Sequence, residues 1–101
     1  MLGRRPPAIE LVREFLKYTV WGAEPEDVEA QVKSFHKVNP FEISQTIDAL
    51  EQLVADPLPE GVLSTMVMID GNQMLMEESD DGARAWLKDL AAQMRRWTSP
   101  P

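Results

Sequence analysis

Along this chain apolar side chains return every three or four positions, and four segments carry that helical period plainly. After Pro6-Pro7, the residues Ile9, Val12, Phe15, Leu16 and Thr19 fall on one broad stripe, which predicts a helix from Ala8 to about Val20, ended by Gly22. A second helix is predicted from Glu24 to about Lys37, with Pro25 in its first turn and acids at the positive end of its dipole. Its stripe is Val28, Val32 and Phe35. The third has the clearest start: Asn39 as cap, Pro40 at the first helical position and Glu42 three residues after the cap. Ile43, Ile47, Leu50 and Val54 follow at helical spacing, and Asp56-Pro57 closes it. The last helix opens at Ser79 or Asp80, carries Trp86, Leu90, Met94 and Trp97 on one face, and ends with Arg95 and Arg96 in its final turn.

Between Pro57 and Ser79 two patterns compete. As a helix ending near Ile69, the segment puts Leu58, Val62, Met66 and Ile69 on one face, with Leu63 and Val67 beside them. As a hairpin over residues 66–76, it turns on Gly71-Asn72 and sets Ile69 opposite Met74 and Val67 opposite Met76. Methionine is a good helix former, and a lone hairpin is marginal in water, so the helix is the preferred reading. The fold expected is all-α, a single compact bundle of four to six helices, with the small hairpin as the alternative. Residues 1–7 read as an arm and 98–101 as a tail, both expected to be disordered.

The stretch MVMIDGNQMLMEESDDG, Met66 to Gly82, holds four of the six methionines and then four acids. Counted as a calcium loop from Asp70, its fifth position is Met74 and its sixth is Leu75, where a ligand and a glycine are required. The calcium reading fails. Met66 suits a core face; Met74 and Met76 suit either gap-filling under a loop or an adaptable protein-binding edge.

Charge sharpens the picture. Val38 to Ala83 contains ten acids and neither lysine nor arginine, whereas the flanks carry ten bases against seven acids. That field repels nucleic acid and anionic membrane and attracts a basic protein; the bland alternative is a solvated face that aids solubility. With no cysteine there is no disulfide, zinc-thiolate site or thiol nucleophile. No apolar leader follows the N-terminal arginines, and no run reaches the ~18 apolar residues that span a bilayer. The expectation is a cytoplasmic protein.

Catalytic motifs are missing. His36 is the only histidine and reads as a helix-boundary residue; there is no nucleophile elbow, phosphate loop or dinucleotide fingerprint. Carboxylate pairs exist among 17 acids, but nothing sets two of them in an apolar cleft. Neither enzyme activity nor a cofactor or metal is expected. Trp21 could be core or an exposed anchor; Trp97 reads as packing or a helix-end anchor.

The run IDALEQLVADPLPEGVL, Ile47 to Leu63, resembles the immunity proteins of contact-dependent growth inhibition systems, in which a leucine-rich helix ends in an Ala-Asp-Pro step. Here the step is Ala55-Asp56-Pro57. Phe15 to Tyr18 stand for an early aromatic segment, Pro25 to Asn39 for an acid-led second helix, and Ala85-Trp86-Leu87 for the opening of the last helix. The resemblance covers roughly Ile9 to Trp97. It implies a cytoplasmic helical protein that binds the C-terminal toxin domain of a contact-dependent inhibition effector, often a nuclease with a basic groove. The acids expected to face that toxin are Glu51, Asp56, Glu60, Asp70, Glu77, Glu78, Asp80 and Asp81. A small acidic adaptor that binds an unrelated protein through an apolar groove is the rival expectation, with little salt dependence.

Overall fold

The computed structural model describes residues 7–100, which are 76% helical and form five helices with no strand among the described residues. Helix α1 (Ala8–Phe15) runs into a π-helical turn (Leu16–Val20); α2 spans Pro25–Val38 and α3 Pro40–Ala55; α4 (Val62–Thr65) runs into a second π-helical turn (Met66–Asp70); α5 is Asp80–Thr98. The all-α bundle expected from the periodicity is present. Pro7 accepts the first backbone bonds of α1 from Glu10 and Leu11, and the rest of the expected arm lies outside the described residues. At the other end Thr98 still belongs to α5, Ser99 Oγ bonds the Arg95 carbonyl at 2.6 Å, and Pro101 is outside the described residues.

Helix α3 is the centre of the packing, touched by α1, α2 and α5, while α4 rests on α5 and the two π-turns meet. One core joins Val12 and Leu16, Val28 and Val32, Ile47 and Leu50, Leu63 and Val67, and Leu87 and Met94. The caps explain the boundaries. Asn39 Oδ1 accepts from the Glu42 amide at 3.1 Å, the cap that the spacing predicts; Asn39 Nδ2 donates to Glu42 Oε2 at 3.2 Å, while the Asn39 backbone amide bonds the Phe35 carbonyl at 2.8 Å. Ser79, rather than Asp80, caps α5, its Oγ accepting from the Gly82 amide at 3.1 Å. A side chain at Gly82 would place Cβ 2.0 Å from the Glu77 carbonyl oxygen, so only glycine lets the loop close on the helix there.

The preferred helix ending near Ile69 forms and runs to Asp70, so the alternative falls, and three stripe assignments need correction. The hairpin over 66–76 does not form. The chain stays helical to Asp70, Asn72 reverses it with φ +47°, and Gln73 Nε2 ties the following loop to the Val20 and Ala23 carbonyls, each at 3.2 Å. Asn72 also lies against Gly22, which has φ +62° and whose amide donates to the Gly71 carbonyl, so the two turns lock together. Ile69, assigned to the buried face, is exposed, and Asp70 is buried in its stead: the Gly71 amide bonds the Met66 carbonyl five residues back, and that wider turn shifts the register. Phe35 is half exposed. In α5 the buried seam runs through Ala83, Leu87, Leu90, Ala91 and Met94, leaving Trp86 and Trp97 half-buried on its flank.

Candidate functional site

The N-terminal end of α5 gathers loops that are far apart in sequence. The Asp80 carboxylate turns away from its own helix and accepts from the Gly61 amide at 2.7 Å and the Ser64 amide at 3.1 Å, capping the start of α4. These amide donors, Gly61 before Ser64, hold the Asp80 carboxyl below its ordinary value. One turn along α5, the Arg84 guanidinium donates to the carbonyls of Leu53 (3.4 Å), Val54 and Asp56 (3.3 Å), satisfying the C-terminal end of α3. Loops 56–61 and 77–82 are thereby fastened side by side. Six of the eight expected acids stand at this end: Asp56, Glu60, Glu77, Glu78, Asp80 and Asp81.

Within that group the roles differ. Asp80 is used up as a cap, Glu77 accepts from the Ser79 hydroxyl, and Asp56 is half-buried. Glu60, Glu78 and Asp81 are exposed and make no ion pair among the described residues. In the loop that leads to Glu77 and Glu78, Met74 and Met76 stand almost wholly in water, whereas Leu75 between them is buried and pins the loop. Met66 is in the core, as expected, whereas Met74 and Met76 stand outside it, which overturns the gap-filling reading of that pair.

The other two acids lie elsewhere. Glu51 sits at the opposite end of α5, about 22 Å away along the helix rise from Asp80 to Arg95. Arg95 Nη2 reaches Glu51 Oε1 at 2.6 Å and Asp48 Oδ1 at 3.1 Å, and the guanidinium bond holds the Glu51 carboxyl below its ordinary value. Asp70 is buried and accepts from Arg13 Nε at 2.9 Å, which joins the second π-turn to α1. Both are spoken for by cations of their own chain.

No protein family, curated protein or solved structure matches the chain. The likeness to immunity proteins therefore rests on the helix-ending motif and the segments around it. Among the described residues no three histidine, aspartate or glutamate side chains gather as metal ligands, and no helix is long and apolar enough to cross a membrane.

Sequence reasoning did not find a second surface feature, an open groove of about 400 Å³ between α1 and the corner joining α2 to α3. Its floor includes Phe15 and Ile43, and its walls include Tyr18, Phe35 and Val38. The signal is present in part: Phe35 and Val38 are spaced by three in α2 and so share a side of that helix. The helical period assigns Phe35 to the core stripe, yet it is half exposed. Trp21, left open between core and anchor, is 61% exposed.

Proposed function

We propose that this chain is a non-catalytic binding protein that neutralises a basic protein partner by stoichiometric occlusion, as the resemblance to contact-dependent inhibition immunity proteins implies. The observation that supports it is the acidic end of α5, where two fastened loops carry exposed, unpaired carboxylates and two water-exposed methionines precede the second of them in the chain. Carboxylates attract a basic groove over distance and speed encounter, while unbranched methionines adapt to an apolar contact without a fixed shape. A nuclease toxin, whose substrate site must be basic, is a partner of that chemistry. No turnover is involved; occupation of the groove is sufficient.

Co-expression with the toxin domain encoded beside it tests the class. Rescue of growth from an otherwise lethal domain, with a one-to-one complex by size exclusion, is expected; continued lethality with no complex rejects it. The site has its own test, a Glu60→Lys, Glu78→Lys, Asp81→Lys variant. Asp80 is spared because its loss would uncap α4. Association should slow by about tenfold or more near 0.1 M salt and its salt dependence should flatten, with dissociation changed far less. Unaltered association kinetics would move the contact away from this end.

A further inference from the structure

The groove beside α1 shares none of the eight acids discussed above, and its chemistry is different. Phe15 and Ile43 in its floor are buried, but Tyr18 and Val38 on its walls are 81% and 84% exposed. A pocket built for a small molecule surrounds its ligand; this groove is open, with two of its wall side chains mostly in water. Tyr18 lies in the π-turn that ends the first helix and Val38 at the last residue of α2, so the two exposed walls come from different elements. Charged side chains in the lining are Glu14 and Glu42, with no lysine or arginine among them. Neither forms an ion pair among the described residues, and Glu42 is held only through Asn39.

An apolar trough with carboxylates along it is complementary to a helix that has an apolar stripe between basic flanks. A second copy of this chain is a poor occupant, because two molecules of net charge −7 repel and each would bring its own glutamates to the seam. We infer that the groove formed by α1 and the α2–α3 corner docks a basic amphipathic helix of a partner protein, independently of the acidic end of α5. The π-turn contributes by carrying Tyr18 outward while Leu16, Thr19 and Val20 stay buried, and such turns recur at functional positions.

Two synthetic helices provide the probe. Both carry leucine at i, i+4, i+7 and i+11; one has lysine at the flanking positions, the other glutamate. Each is titrated into isotope-labelled protein at about 0.15 M salt and followed by amide chemical shifts. The lysine helix should perturb residues of α1, its π-turn and the α2–α3 corner, and bind about tenfold or more tightly than the glutamate helix. A Tyr18→Ser, Val38→Ser variant should lose about tenfold in affinity at unchanged melting temperature, since both side chains already stand in water. Equal binding of the two helices would overturn the proposal. So would a lysine helix indifferent to Tyr18 and Val38 but weakened by Glu60→Gln and Glu78→Gln, which would place it on the acidic end. A concentration-dependent dimer abolished by Tyr18→Ser would assign the groove to a second copy instead.

Discussion

Asp70 shows how a single residue can carry more than its type suggests. It occupies a position that the apolar period gives to Ile69, is 8% exposed, and accepts from Arg13 Nε at 2.9 Å. The two partners are not equivalent, because the Arg13 side chain is 49% exposed. Arg13→Ala strips the cation and leaves a carboxylate facing apolar neighbours, whereas Asp70→Ala leaves a guanidinium that rehydrates freely. An unpaired buried charge costs more than a lost surface bond. The expected losses are about 2 kcal/mol for Arg13→Ala and about 1 kcal/mol for Asp70→Ala, read from urea midpoints near pH 7. The reverse ranking would mean that Asp70 fills space more than it balances charge. The sequence marks Asp70 as an acid expected to face a partner and not as a buried one, since nothing in residue type distinguishes a buried carboxylate from a solvated one.

At the scale of elements, the helices were legible because each has a period and a start signal, and the caps at Asn39 and Ser79 hold. The faces were less legible. A 3.6-residue period cannot anticipate two π-turns, and the i→i+5 bond from the Gly71 amide to Met66 delays the register after Thr65 by about one residue. Nor could it anticipate that α5 caps its neighbours, Asp80 for α4 and Arg84 for α3, which is what draws loops 56–61 and 77–82 together. This arrangement has a pH signature. The Gly61 and Ser64 amides lower the Asp80 carboxyl in the folded state. Its contribution to stability is therefore fully present above the unfolded aspartate value of about 3.9. It is lost as pH falls through the lower folded value. The stability difference between the native chain and Asp80→Asn should be positive at pH 7 and shrink below about pH 4, measured by chemical denaturation at each pH. Glu51, lowered by Arg95 on the far side, should give a similar trend in Glu51→Gln while leaving α4 protected from hydrogen exchange. Only the Asp80 variant should expose the α4 amides. A difference that grows on acidification would reverse the assigned sign and remove the cap from the account.

Across the whole molecule, charge is sorted into two kinds. Arg95 takes Asp48 and Glu51, and Arg13 takes Asp70, so part of the ten-acid segment is neutralised within the fold. Apart from Glu42 in the groove, the remainder lies toward the start of α5, where Glu60, Glu77, Glu78 and Asp81 are exposed and Arg84 turns inward to the carbonyls at the end of α3. Asp81 still serves the helix it begins, because an acid in the first turn complements the dipole by about 0.3–1 kcal/mol. Glu60 and Glu78 have no such return: each is exposed, with no hydrogen bond or ion pair from its side chain among the described residues. They add to the self-repulsion of a chain of net charge −7. Replacing both by glutamine should therefore leave stability unchanged or raise it, by about 0.5 kcal/mol at low ionic strength. The gain should vanish near 1 M salt, where the screening length falls to about 3 Å. The check is a pair of melting curves for the double variant and the native chain at about 0.01 M and 1 M salt. Acids that cost the fold a little and serve none of its bonds are what a recognition surface for a basic protein requires. A loss of more than about 1 kcal/mol in that variant would show that they hold the loops together, and the acidic end would then be a structural seam.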